Sequence, residues 1–459
     1  MKTICLIIYF LLCLGLSATK AQYTKLLDFD SINGCNPSGS LVSDGTFLYG
    51  MSFGGGIDAD GIIFKIKPDG TGYFKLFDFT NTNGSQPYGD LIYDGTFLYG
   101  MTSGGGPFPS DGTIFKIKPD GSGYFDLHDF DGAPNGNSPR GSLILDGTFL
   151  YGMTEWGGAS GKGNIFKIMP DGTGYLNLMD LNGTNGSYPR GALISDATFL
   201  YGMTTSGGAN GLGTVFKIKP DGTGYLSLLD FNDTTGGGPG GSLISDGTFL
   251  YGMASSVLFK IKPDGTGYSD LHDFTGGADG SQPFGSLVIQ GPFLYGMTGS
   301  GGTNGKGNVF KIMPNGTGYS DVFDFSGTTD GAYPSGSLIS DGTFLYGMTH
   351  DGGTDSTYNN GCGVVFKFQS IATGIAGHNT ETDFNVFPNP SNGKIEFINK
   401  DLEVEKVEIY NLFGEKIYAI ISNSQSILIN LDALAGVYLY RVVSENGDVI
   451  GLGKLIIQK

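Results

Sequence analysis

The chain repeats one short pattern of apolar and polar positions. Asp44-Gly-Thr-Phe-Leu-Tyr-Gly-Met51 is an Asp-Gly turn followed by a run in which nearly every position is apolar. Near-copies end at Met101, Met153, Met203, Met253, Met297 and Met348, about fifty residues apart. A short apolar run between turn signals predicts a strand buried on both faces. The two-residue period puts Phe47, Tyr49 and Met51 on one face and Leu48 and Gly50 on the other. Gly50 has no side chain and would let a neighbouring sheet pack close. One repeat buries too little apolar surface to stand alone, so sheets must stack on sheets.

Three further runs accompany this one. In the first full unit the four are A, residues 39–43; B, residues 46–52; C, residues 62–67; and D, residues 73–79. Pro68-Asp-Gly-Thr-Gly72 supplies a tight turn between C and D. Four antiparallel strands at this period predict propeller blades. Runs B, C and D each occur seven times. The array opens on a D run, residues 23–29, and ends on a C run at Gln369, so the last unit has no D run of its own. Ring closure would let the first strand complete the last sheet, whereas an open solenoid would leave it unpaired. The expected fold of residues 22–369 is therefore all-β, a seven-bladed β-propeller closed by the N-terminal strand. In such a ring Cys35 and Cys362 fall at the same end of one blade. A disulfide is expected there; the alternative is two unrelated thiols.

The two ends of the chain differ from the array. Lys2, the apolar run from Ile4 to Leu16 and the small residues around Ala21 read as a cleavable secretory signal over residues 1–21. Its apolar core is too short to span a bilayer, and no later segment is long enough to be a membrane helix. Leu12 before Cys13 argues against lipoprotein processing. Residues 370–382 form a small, polar linker. Beyond it, from residue 383 to 459, the repeat stops and six of the chain's eight Glu fall between Glu396 and Glu445. Alternating runs at 407–410 and 436–442 predict a small Ig-like β-sandwich.

Composition narrows the function. The 81 glycines have no three-residue period and aromatic residues make up 13%, which argues against collagen and disorder. A formal charge of −18 disfavours binding nucleic acid or an anionic membrane through a basic surface.

A binding site occurs once, so whatever recurs seven times reads as scaffold. That removes the Asp of the D runs and the Asp-Gly turns. The turns lack the Trp of a sialidase Asp box and the alternating acidic oxygens of a calcium loop, so no metal is expected. Strand direction puts the D–A and B–C loops on one face, where length and sequence vary, and the short, near-invariant turns on the other. Binding is expected on the variable face. The residue before the glycine that opens run A varies: Ser38, Tyr88, Arg140, Arg190, Gly240, Phe284, Ser335. Arg140 and Arg190 are the only arginines of the array, Glu155 its only glutamate, and Trp156 the only tryptophan of the chain. These four are the candidate ligand-binding residues, with Tyr88, Phe284 and His350 as weaker additions. A Trp ring can stack on a sugar or a side chain, and Arg gives bidentate bonds to carboxylates. A surface Arg–Glu pair beside a Trp that caps a loop is the plainer alternative.

Nothing in the sequence demands an enzyme. Glu155 could act as an acid with Asp351 as partner, but they belong to the third and seventh units. No zinc spacing, nucleophile elbow or phosphate loop appears, and no catalytic residue or cofactor is expected.

Two resemblances add to this reading. Phe97-Leu-Tyr-Gly-Met-Thr102, the glycine pair after it, Gly112-Thr-Ile-Phe-Lys-Ile117 and Pro119-Asp-Gly121 represent a motif repeated through residues 23–369. In this the array resembles the bacterial tandem-repeat proteins called GloVer-containing or choice-of-anchor, which implies an exported, propeller-like domain of no stated activity. Residues 383–459 resemble a type A C-terminal sorting domain of type IX secretion. The motif residues are Pro388, Asn389, Pro390 and Gly393, then Gly414, then Gly436 and Tyr438, and a terminal run to Lys459. This resemblance implies a Bacteroidetes-type bacterium and passage through the periplasm. It also implies handling of residues 383–459 by the type IX machinery, and a secreted or outer-membrane-surface location. The combined expectation is a non-catalytic module that binds an extracellular glycan or protein. The alternatives are a glycan hydrolase or lyase, or a structural surface-layer component.

Overall fold

A computed structural model describes residues 23–108, 111–355, 360–369, 384–388, 391–399, 404–410, 416–424, 426–431, 436–443 and 449–457. The expected secretory signal, the expected linker, and Asn389, Pro390, Gly414 and Lys459 of the sorting motif lie outside these residues. The described residues are all-β, and among them no helix is long and apolar enough to cross a membrane.

Residues 23–369 form seven antiparallel four-stranded sheets. In the first full unit the strands are Val42–Ser43, Leu48–Ser52, Ile62–Ile66 and Phe74–Asp78, hydrogen-bonded in that order. The last sheet takes its fourth strand from the other end of the array: Tyr23–Asp28 pairs antiparallel with Val364–Gln369, Tyr23 opposite Phe368 and Asp28 opposite Val364. The B strand is buried along its whole length, as its apolar run requires.

Each sheet buries its two faces against different neighbours. Tyr49 and Met51 pack with Leu91, Leu98 and Phe115 of the next sheet. Leu48, Ile62 and Phe64 pack with Tyr346, Met348 and Val365 of the last sheet. Burial of each such side chain stabilises by roughly 1.5–3 kcal/mol. Gly50 owes its identity to a different cause from the one expected. It pairs with Phe64 across the B and C strands, and a Cβ there would strike the Phe64 ring and Leu41. The glycine makes room for its own cross-strand aromatic.

Strand A is only two or three residues long, shorter than the run that predicts it. The reason lies in Gly39 and Ser40. A Cβ on Gly39 would overlap the Gly89 carbonyl, and the Ser40 N–H donates to Asp90 Oδ1 at 2.5 Å. The backbone here serves the next sheet, so it makes no ladder with strand B. The same overlap recurs from Gly89 to Gly141, Gly191, Gly241, Gly285 and Gly336, and from Gly336 to Gly39.

The repeated acidic residues are turn and loop fixtures. Asp44 Oδ1 accepts from the Thr46 and Phe47 N–H groups, both at 2.7 Å, and Oδ2 accepts from the Tyr49 hydroxyl at 2.7 Å. Asp78 Oδ1 accepts from the Ile57 N–H, pinning the B–C loop. Cys35 and Cys362 form a disulfide across 327 positions of sequence.

Among the C-terminal residues, Phe384–Phe387, Lys394–Asn399 and Ser426–Asn430 make one sheet. Lys416–Ser424, Val404–Tyr410, Gly436–Val443 and Val449–Ile457 make another. Ile395, Phe397 and Ile429 of the first share a core with Val407, Ile409 and Leu455 of the second. Buried Glu408 is faced by Lys406, Lys416 and Arg441, whose stems cover it while their charges stay wet.

Candidate functional site

The D–A and B–C loops of one unit pair with each other. Cys35 bridges Gly54, Asn137 bridges Trp156, Ser187 bridges Ser206, and Ala332 bridges Asp351. The two loops of a unit are therefore held together, just before the residue that precedes its run-A glycine. All seven of these positions, together with His350, line a single cavity of about 330 Å3. Five of the seven candidates meet here: Tyr88, Arg140, Arg190, Phe284 and His350.

Glu155 lies beneath two of them. Its side chain is 1% exposed, with Oε2 2.5 Å from Arg140 Nε and Oε1 2.7 Å from Arg190 Nε. The arginines come from adjacent units, and their side chains remain 33% and 47% exposed. One buried carboxylate thus fixes two guanidinium groups at the cavity mouth, with their charge in excess. Arg140 is held a second time, its guanidinium 4.5 Å from the Tyr88 ring centroid, a favourable cation–π distance. Tyr88 in turn packs on Phe53 at 4.8 Å.

Trp156 takes another direction. Glu155 points inward, and its neighbour faces a second cavity, of about 400 Å3, which shares Tyr88 and Arg140 with the first. Trp156 is 44% exposed and rests on Tyr188 at 4.5 Å. His350 Nδ1 lies 2.5 Å from Asp351 Oδ1, which also accepts from the Asn36 side-chain amide at 3.0 Å. Glu155 and Asp351, the conceivable acid pair, are therefore each engaged by different partners. Both Glu155 oxygens face guanidinium groups.

Two features of the site lie outside the sequence-level candidates. Asp90 also lines the cavity. Part of its surface faces the opening, but protein atoms crowd it, and this burial raises its carboxyl above the ordinary range against bonds from Ser40 and Ser142. The other units carry Ser or Ala at this position, and that contrast was a readable signal. The second feature is a gap. Strands Leu250–Ala254 and Val257–Ile261 are joined by Ser255 and Ser256 alone, whereas residues 205–213 separate the corresponding strands of the preceding unit. The short spacing from Met253 to Phe259 was visible in the sequence. The fifth unit also has bare Gly240 at the cavity, and Phe284 of the next unit leans against it. Among the described residues no group of three or more His, Cys, Asp or Glu could hold a metal ion.

The fold and the sorting motif define an exported surface protein built on an all-β repeat. More specifically, the chain belongs to the Gloeobacter/Verrucomicrobia repeat family, whose model matches residues 14–150, 93–256 and 255–387. Residues 385–458 match the secretion system C-terminal sorting domain. No curated protein sequence matches the chain. Solved structures similar to it include the following two. One is the extracellular domain of a hybrid two-component system from B. thetaiotaomicron, with 12% identity and a TM-score of 0.51 over 96% of this chain and 59% of that one. The other is PorZ, a bacterial surface component of the type-IX secretion system of Porphyromonas gingivalis, with 15% identity and a TM-score of 0.44 over 94% and 61%. The chain thus spans about three fifths of the length of each.

Proposed function

We propose that this chain is a closed seven-bladed β-propeller, residues 22–369, that binds an extracellular glycan or protein without catalysis through its variable face. A secretory signal over residues 1–21 and a sorting domain over residues 383–459, behind the linker at 370–382, deliver it through the periplasm and the type IX machinery. The observation that carries the binding reading is convergence: the variable position before the run-A glycine lines one cavity in all seven units. Closure is supported by Tyr23–Asp28 completing the last sheet and by the return of the glycine contacts from Gly336 to Gly39. It is supported again by Lys367 Nζ, which donates to the Pro68 carbonyl at 2.8 Å as Lys65 does to Pro119.

The test is native affinity electrophoresis of the chain from residue 22 onward in gels containing different polysaccharides, beside Phe284→Ala. Retardation of the wild type that the variant loses is the expected result. Unchanged mobility in every gel would remove the glycan reading and leave contact with a protein. Release of soluble sugars during the run would overturn the non-catalytic one.

A further inference from the structure

We infer that the central cavity recognises a carboxylate-bearing polysaccharide, its acid group held by Arg140 and Arg190 and its chain leaving over the fifth unit. This rests on the binding reading above and specifies its ligand. Arg190 donates its Nε–H to buried Glu155, and Arg140 holds its Nε 2.5 Å from the same carboxylate, so a ligand would meet the Nη edge of each guanidinium. A planar, bidentate acceptor matches such an edge. Two guanidinium charges against one carboxylate leave a local excess of positive charge, in a chain whose formal charge is −18.

The arginines are also in position before any ligand arrives. Glu155 fixes both, and Tyr88 stacks under one. Their ordering entropy is spent in folding, so it is not charged against binding. Asp90, the acidic group lining the same cavity, engages Oδ1 with the Ser40 N–H, and burial raises its carboxyl above the ordinary range.

Size and shape favour a sugar chain over a folded partner. A cavity of about 330 Å3 lies in the range of small-ligand pockets, and its rim carries the hydroxyls of Ser38 and Ser335 with the half-exposed ring of Phe284. Rings and hydroxyls together suit the two faces of a pyranose. Bare Gly240 lowers the lining at one place, and the two-residue loop Ser255–Ser256 lies beside Gly238 of the same lining, so a polymer can cross the mouth without threading through it.

Affinity gels with the chain from residue 22 onward decide the matter, using polygalacturonate, alginate, dextran, dextran sulfate and poly-L-glutamate as probes. Retardation by polygalacturonate or alginate is expected, with dextran inert and the other two polyanions at least tenfold weaker. Arg190→Lys keeps a charge but loses the fork, and should weaken retardation about tenfold. Phe284→Ala should weaken it several-fold, and Trp156→Ala, at the second cavity, should leave it unchanged. Equal retardation by dextran sulfate or poly-L-glutamate would reduce the site to charge alone and overturn the inference. Retardation by dextran but by neither uronate would leave the glycan-binding reading standing and sink this one. Silence in all five gels would sink this one as well, and the wider panel described above would then decide the parent reading.

Discussion

Gly336 packs its α-carbon against the carbonyl of Gly39, although the two residues lie near opposite ends of the repeat array. Neither residue has a positive φ, so the glycine is required by space and not by backbone conformation. A methyl group on Gly336 would overlap backbone, which cannot rotate away. Gly336→Ala is expected to destabilise the repeat domain by about 3 kcal/mol. Gly277 also lacks a positive φ, and its nearest neighbour is the Thr275 hydroxyl at 3.5 Å. Gly277→Ala should therefore stay within about 0.5 kcal/mol of the wild type. Urea unfolding of the pair measures the difference; equal midpoints would refute the close-approach account.

The Cys35–Cys362 bond ties together residues separated by 327 positions. It shortens the unfolded chain's reach, and its loss is expected to cost about 2–5 kcal/mol. Ser337 N–H still donates to Ser40 Oγ at 2.7 Å, and the Tyr23 hydroxyl to the Asp330 carbonyl at 2.8 Å. The Cys35→Ser, Cys362→Ser protein should thus remain folded at 25 °C but melt several degrees lower. A calorimetric scan with and without reductant checks this: wild type should fall to the variant's Tm, and the variant should not move.

Glu155 is buried between two guanidinium groups that stay partly in water. Glu155→Gln turns one side of that contact into an NH2 group facing a donor. The remaining charges keep some hydration, so the expected cost is about 1–3 kcal/mol. Trp156, the chain's only tryptophan, sits next to the altered residue and reports on it. Its emission should change in Glu155→Gln at urea concentrations below the global transition, while wild type shows a single step. Coincident transitions in both proteins would mean that Glu155 is not what holds this loop.

Much of the fold was legible because strands impose a period. Seven B runs, seven C runs and a displaced D run specified the sheets and the partner of residues 23–28, and the shared blade end of Cys35 and Cys362 pointed to their bond. Loops impose no such period. Arg140 and Arg190 occupy the same place in two units, and nothing in their spacing says that both side chains turn to one carboxylate. Glu155 and Trp156 are adjacent, and their opposite directions follow from the pairing of Asn137 with Trp156, a contact between two loops. Gly50 shows the limit within strands: the period gives its face, but only the register with Phe64 explains why that face must be bare.

Asp126 and Asp246 should respond to pH with opposite signs. Burial, helped by the nearby Asp129 charge, pushes the Asp126 carboxyl up to about 7. The folded chain then holds a proton that the unfolded chain releases near pH 4. Stability from this group is full below pH 4 and is lost as pH rises through 7. Asp126→Asn should match wild type at pH 4 and exceed it at pH 8 by about 1–2 kcal/mol, water screening having trimmed the effect. Asp126→Lys should do at least as well at pH 8, because Lys75 at the same place in the preceding unit lies 2.8 Å from Asp78. Asp246 is the reverse case. Burial opposes its charge, but bonds from the Phe249 N–H, the Tyr251 hydroxyl and the Thr248 N–H carry it below the usual carboxylate range. Its contribution is present above pH 4 and fades as pH falls further. Asp246→Asn should be less stable than wild type at pH 7, with the gap closing towards pH 2. Melting temperatures of the three variants across pH 2–9 give both slopes, and an Asp126→Asn gap that did not widen between pH 4 and pH 8 would show that this carboxyl is not protonated on folding.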